Sequence, residues 1–494
     1  MITPRSVTSP LTLSGGPITR FWQAQTDPLR LFEEIAATGQ QVVRLPFGPL
    51  GNYVAVQGEA AREMLVTRPG DFPKETRGQR LLRALLGGSV LTTQGATWKA
   101  RRRIVQPAFT KEHYRRYARQ MATITAGVVD RWGDEVDLRH EMMRLTLEVA
   151  CVTLFSDGLR DEAERVDQAL SAALEAYRVL LAIPVLRPDT RLPVGPPARW
   201  RRAKQDLVDV VQALLTRRRS SGKDHDDLLG RLLASDLPDD AIVSEVVTML
   251  LAGHETTANG LCWALWELAC RPQLQRQIHA ESAVGDPDRL RGPQVRGEVS
   301  EPCSGGASNW PAQAGRRDER NEARNLQVNH AGRPTPGHGA AQQGPTELLR
   351  AATWHDRPLT RGVWQETLRL HPPVWMMARA VGADTTLAGI PVEAGTTAFA
   401  CLHVLHRGPD WADPEAFDPH RWLDGAPKPG LYLPFGAGKR KCLGERFAAM
   451  EAAIVLGEVM RRTHLSPTAG PPPVPQLSVT LRPRDPVRVR VRPL

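Results

Sequence analysis

Phe435-Gly436-Ala437-Gly438-Lys439-Arg440-Lys441-Cys442-Leu443-Gly444 is the stretch on which the reading of this chain turns. A single cysteine stands there among turn-forming glycines and beside three cations. Nearby positive charge lowers the pKa of a thiol, and the thiolate is the form that ligates metal. Gly436, Gly438 and Gly444 let the backbone approach a flat ligand and take positive φ where a turn needs it. Phe435 can lie against the sulfur and keep water from it. Beyond Gly444, the run Glu-Arg-Phe-Ala-Ala-Met-Glu-Ala-Ala-Ile is good helix sequence. Cys442 therefore precedes a helix N-terminus, whose dipole favours an anion. The plainer alternative is a buried cysteine in a Gly-rich turn.

Upstream, Asp239–Ala269 reads as one long helix, apolar on most faces and so a core element. It contains Ala252-Gly253-His254-Glu255-Thr256-Thr257. Gly253 has no side chain, so a flat cofactor can pass close to the helix. Glu255 and Thr256 are an acid–alcohol pair in mid-helix, where threonine is not favoured. Its hydroxyl can bond the carbonyl one turn back and open the ladder to water. Glu366-Thr367-Leu368-Arg369 sets Glu and Arg at i, i+3 on one helix face. Trp98 and Arg102 lie at i, i+4 on another.

Together these stretches resemble the cytochrome P-450 superfamily, the haem-thiolate monooxygenases. Phe435, Gly438, Arg440, Cys442 and Gly444 meet its Phe-x-x-Gly-x-Arg-x-Cys-x-Gly pattern. The resemblance implies a mainly α fold with small β-sheets (α+β), triangular in outline. One haem b would lie between the long central helix and the Cys loop, in a single domain spanning 1–494. It implies Cys442 as the axial iron ligand, and a haem packed against Phe435, Gly436, Gly444, Ala252 and Gly253. Trp98, Arg102, Arg379 and Arg440 would meet the propionates. Thr256 would steady the activated oxygen and Glu255 would supply protons, so that O–O cleavage yields water rather than peroxide. Glu366, Arg369 and Arg421 would form a buried ionic triad behind the Cys loop. His420 replaces the Glu usual before that last arginine.

No dinucleotide-binding or Walker-type loop is present, so electrons must come from separate proteins, a ferredoxin or flavodoxin and its reductase. Lys99, Arg101, Arg103, Lys439 and Lys441 would form a solvated cationic face that steers such an acidic partner. The net charge is +10, but without a lysine-rich tail or repeat it does not point to nucleic acid. Six scattered cysteines without paired spacing fit a reducing cytoplasm. Met1–Gly16 carries no apolar run near the ~20 residues of a membrane span, so a monomer without an anchor is expected. The family's pocket segments would be Leu81–Leu86, Val247–Ala252, Val374–Met377 and Val479–Leu481. These are apolar and suit a lipid-like substrate. Lys74, Arg77 and Arg80 leave a fatty acid open. His140–Met143, Val246–Trp263 and Trp364–Arg379 resemble, less closely, the bacterial carotenoid-ring hydroxylases. Alternatives are a peroxygenase, against which Glu255 and Thr256 argue, and a haem protein without monooxygenase activity.

That last alternative arises from 285–345, crowded with Gly, Pro, Arg, Gln and Asn and lacking Ile, Phe, Tyr and Met. Such a composition does not bury enough apolar surface to order itself. It reads as a disordered insertion or as an out-of-frame stretch within the domain. Loop length carries only a slow entropic cost. Deleting most of 285–345, with a short linker back to Leu348, is expected to leave haem binding intact, measured as haem content of the purified protein. Loss of folding on deletion would show that the stretch replaces structure.

Overall fold

The computed structural model describes residues 9–47, 51–156, 162–183, 187–190, 193–222, 225–283, 357–423, 425, 427 and 430–494. The stretch 285–345 lies outside them. Helices dominate, with small sheets at the periphery. The Asp239–Ala269 helix runs through the middle, with most of its residues buried. It packs chiefly against the Leu138–Phe155 helix, and also against the helices Gly195–Ser221, Pro358–Leu370 and Glu445–Arg462. Apolar residues on nearly every face explain this position, since a helix of that kind is stable only when surrounded.

The sequence carries a continuous helical pattern from about Ala96 to Arg131, but the structure has two helices there, Gly95–Val105 and Lys111–Val129, with a short 3-10 turn over Gln106–Phe109 between them. Pro107 causes the break: it lacks an N–H, and its ring clashes with the preceding turn. Helical patterns in the sequence over Pro28–Thr38, about Asp161 to Leu181 and about Ala198 to Arg219 fall within a few residues of the observed helices Pro28–Ala37, Ala163–Ala182 and Gly195–Ser221.

Strands β1 (Leu11–Thr12), β2 (Val42–Leu45), β3 (Tyr53–Val56), β4 (Glu135–Asp137), β5 (Met376–Ala380), β6 (Thr385–Leu387), β7 (Ile390–Val392) and β8 (Thr397–Cys401) precede the Cys loop. After it come β9 (Thr463–Pro467), β10 (Pro475–Leu477), β11 (Leu481–Pro483) and β12 (Arg488–Pro493). The largest sheet has the order β1-β2-β3-β8-β5. The parallel pairing of β3 with β8 sets Tyr53 opposite Thr397. The antiparallel pairing of β5 with β8 sets Met376 opposite Cys401 and carries Arg379 beside Ala398. The β10–β11 hairpin is tied down where Leu481 N–H donates to Pro373 O at 2.9 Å.

Behind the Cys loop, the Pro358–Leu370 helix packs against the turn Pro419–Trp422. Gly362 makes this approach possible, because a Cβ there would lie 2.4 Å from the Pro419 carbonyl oxygen. Backbone cannot rotate aside as a side chain can. Gly362→Ala is expected to cost about 1–3 kcal/mol, the usual range for overpacking, read as a lowered midpoint in urea unfolding. An unchanged midpoint would mean the helix shifts at no cost.

Candidate functional site: a cavity between the central helix and the Cys loop

The Cys loop, the middle of the central helix, β5 and the β10–β11 hairpin meet around a cavity of about 1210 Å³. Among the described residues, Cys442 is the one cysteine that lines it. The Cys442 N–H donates to the Phe435 carbonyl at 2.9 Å and closes the loop. Gly436 and Gly438 have φ of 67° and 64°, in the left-handed region where glycine carries no Cβ penalty. Gly444 has φ −86° and needs no such freedom.

The electrostatics at the sulfur differ from the sequence expectation. Burial pushes the Cys442 thiol up, and the Glu445 carboxylate adds to this; the Gly444 and Glu445 N–H groups and Arg102 offset it in part. Lys441 Nζ is held by Glu445 Oε2 at 2.6 Å, and Lys439 is exposed. The thiol is reachable from the cavity although protein surrounds it. A metal ion, the largest local charge such a site would hold, is what deprotonates a coordinating thiol.

Across the cavity lie Ala252, Gly253, Glu255 and Thr256. A Cβ on Gly253 would meet nothing within 4 Å, so the flank of the helix is open there. Thr256 Oγ1 donates to the Ala252 carbonyl at 2.7 Å, as its position predicts, yet the helix continues unbroken through this turn. Glu255 turns to a different partner: its Oε1 accepts from Thr480 Oγ1 at 2.8 Å. Burial raises the Glu255 pKa, against the Thr480 hydrogen bond and the charges of Arg482 and Arg139.

Lys74, Arg102, Arg379 and Arg440 crowd one end of the cavity. Arg440 lies over the Trp98 ring at 4.1 Å, and Arg102 over the same ring at 5.6 Å. Arg440 Nη2 donates to the Thr93 carbonyl at 2.8 Å, while its Nη1 is buried without a partner. Arg379 Nη1 donates to the carbonyl of its neighbour Ala378. Burial brings Arg379 down to about 10; burial, with Arg379 and Arg102, does the same to Arg440. Burial and the two arginines bring Lys74 down to about 7. Among the described residues, no carboxylate pairs with any of the four. Unpaired buried cations are costly, and a ligand with two carboxylates would relieve them. An orphaned guanidinium nitrogen, an open helix flank and a facing thiol fit haem b.

Lys74 was not legible as part of this end: the sequence reading set it aside for a substrate carboxylate, and no motif marks it. Of Leu81–Leu86, Leu82 lines the cavity, while Leu81, Leu85 and Leu86 are buried in the core. Arg101 is not solvated either; it lies 3.8 Å from the buried Glu245. The structure brings Glu366, Arg369 and Arg421 together: Arg369 donates to Glu366 at 2.8 and 2.9 Å and Arg421 at 3.0 Å, with Glu366 and Arg369 fully buried. Trp422 Nε1, absent from the sequence reading, adds a bond to Glu366 at 2.9 Å.

A family model described as Cytochrome P450 matches residues 16–293 and 344–491. The chain belongs to the cytochrome P450 family, the haem-thiolate monooxygenases. Cyclooctat-9-en-7-ol 5-monooxygenase of Streptomyces melanosporofaciens is 30% identical over 463 residues, covering 90% of this chain and 86% of that one. Pentalenene oxygenase of Streptomyces avermitilis is 28% identical, covering 95% and 94%. Among solved structures, CYP175A1 from Thermus thermophilus matches with a TM-score of 0.70 at 26% identity, covering 98% of this chain and 100% of that one. Family membership implies a haem cofactor and oxidoreductase chemistry.

The Lys74 environment gives a prediction with a definite sign. A folded-state pKa of about 7, against the ordinary 10.5, means the unfolded chain binds more protons between those values. The penalty is full below about pH 7 and fades as pH rises towards about 10.5. Lys74→Met is expected to stabilise the haem-free protein at neutral pH, with the gain vanishing at high pH. The same variant is expected to lose haem several-fold faster, measured by transfer to apomyoglobin. Equal haem loss would detach Lys74 from the cofactor.

Proposed function

We propose that this protein is a monooxygenase that inserts one atom of O2 into an apolar, terpenoid-like substrate, with haem b held through Cys442. The observation that carries this reading is the cluster of Lys74, Arg102, Arg379 and Arg440, with Arg440 Nη1 buried and without a partner, at the rim of a cavity walled by Cys442 and the open flank at Gly253. Haem, when bound, supplies oxygen activation. The chain supplies the rest. Trp98, Arg102, Arg379 and Arg440 orient the propionates, with Lys74 beside them. Ala252, Gly253, Phe435, Gly436 and Gly444 leave room for the flat ring. Thr256 presents its hydroxyl to the cavity, and Glu255 holds the proton supply. Glu366, Arg369 and Arg421 keep the Cys loop in place.

The substrate class follows from the wall chemistry. Phe21, Leu82, Met249, Val374, Phe399 and Val479 are among the apolar groups lining the cavity, as an apolar ligand needs. The names of the two Streptomyces relatives denote an alkenol and an alkene, which supports a terpenoid-like substrate; a carotenoid belongs to the same apolar class. A fatty acid is less favoured, because the candidate cations are engaged. Arg77 Nη2 donates to the Leu180 carbonyl and Arg80 Nη1 to that of Glu75, each at 2.6 Å, and Lys74 sits with the arginines. Electrons come from a ferredoxin or flavodoxin and its reductase, docking near the exposed Lys99, Arg103 and Lys439. The protein acts as a cytoplasmic monomer. Among the described residues, no helix is long and apolar enough to cross a membrane.

Cys442→Ala is expected to abolish the red-shifted Soret band that thiolate-ligated haem shows when reduced under carbon monoxide. A normal band in that variant would remove Cys442 as ligand. Thr256→Ala is expected to keep the band and raise the hydrogen peroxide released per electron consumed, since a positioned hydroxyl is lost from proton transfer. Unchanged peroxide would leave Thr256 without that role.

A further inference from the structure

Glu255 does not bond its neighbour Thr256 but reaches across to the C-terminal hairpin. Its Oε1 accepts from Thr480 Oγ1 at 2.8 Å, and Thr480 Oγ1 accepts from Asn259 Nδ2 at 3.2 Å. Asn259 lies one turn beyond Glu255 on the same helix. An amide NH2 donates and does not accept, so the Thr480 hydroxyl hydrogen is left for Glu255. While the Thr480 hydroxyl donates to Oε1, a neutral Glu255 carries its proton on Oε2. All three side chains are buried, and Glu255 and Thr480 also line the cavity.

The hairpin that supplies Thr480 is itself held. Trp375 Nε1 donates to the Ser478 carbonyl at 2.9 Å, and Ser478 N–H donates to the Thr480 carbonyl at 3.0 Å. Leu477, Ser478, Val479 and Thr480 all line the cavity. The charged groups around Glu255 are Arg139 on the Leu138–Phe155 helix, Asp167 on the Ala163–Ala182 helix and Arg482 on β11. His254, on the central helix, is buried and faces Asp167 at 3.9 Å.

We propose that Thr480, aligned by Asn259, is a positioning residue for proton delivery: it holds the Glu255 carboxyl and selects the oxygen that carries the transferable proton. This rests on the oxygen-activating function proposed above. Each proton that leaves Oε2 is replaced from solvent, and the electrons that reduce O2 come from the ferredoxin. With the hydroxyl removed, the carboxyl loses its fixed orientation. More oxygen then leaves as hydrogen peroxide, which carries away two electrons and two protons and leaves the O–O bond uncleaved.

The test compares wild type, Thr480→Val and Thr480→Ser as haem-loaded proteins. Each is reduced in air by a plant-type ferredoxin with its NADPH-dependent reductase. Thr480→Val is expected to release several-fold more peroxide per electron and to shift the pH profile of oxygen consumption. Thr480→Ser restores both. A separate readout needs no turnover. The infrared carbonyl-stretch band of protonated Glu255, assigned by its loss in Glu255→Gln, is expected to move to higher frequency in Thr480→Val, because the carbonyl oxygen loses its hydrogen bond. A Thr480→Val protein with wild-type peroxide yield, or with an unmoved Glu255 band, overturns the proposal. A wild-type protein without the thiolate Soret band overturns instead the haem-thiolate reading beneath it.

Discussion

The Glu366 carboxylate, fully buried, accepts from Arg369 Nε and Nη2, from Arg421, from the Trp422 indole and from the Asp418 amide. The position of the Cys442 thiol depends on it. Arg369 Nη1 donates onward to the carbonyls of His406 and Pro414. His406 Nε2 in turn accepts from the Leu433 amide at 3.0 Å. Two residues later, Phe435 presents the carbonyl that receives the Cys442 N–H. Hydrogen bonds and short runs of chain therefore link a buried ion pair to the Cys442 amide. Breaking such a pair by removing one partner typically costs about 3–5 kcal/mol, because the remaining charge stays buried. That penalty makes the arrangement rigid, and rigidity is what a metal ligand on a loop requires.

The two ends of the cavity solve opposite electrostatic problems. At the sulfur, burial opposes the thiolate, and the helix N-terminus offers partial relief. At the rim, guanidinium groups and an ammonium are brought together with carbonyls and an aromatic face for company, but no carboxylate among the described residues. A thiol that wants a cation and a cation cluster that wants an anion describe complementary parts of one ligand. Each end is destabilised without it, so binding free energy becomes part of the folding free energy.

Local chemistry was readable wherever it depends on neighbours along the chain. The Thr256 bond to Ala252 follows from helical spacing, and the Glu366–Arg369 pair follows from i, i+3 geometry. The extent of the central helix followed from its unbroken apolar character, and β2 and β3 from their alternation. Pro107 marked the break between two helices that the pattern alone had joined. Lys74, Trp422 and Thr480 were not readable in their roles. Each sits far along the chain from the group it serves, and none belongs to a spaced motif.

The sequence by itself determined the family, the fold class, the candidate ligand Cys442 and the acid–alcohol pair Glu255 and Thr256, because these are carried by residue types at short, fixed spacings. Tertiary structure alone decided the sign of the shift at Cys442, the burial of Arg101 against Glu245, the gathering of Lys74 with Arg379 and Arg440, and the partner of Glu255. The reason is that burial and long-range contact set the energy of a charge. Three cations beside a cysteine in the chain do not lower its pKa when one is paired, one faces solvent and the third lies over a tryptophan.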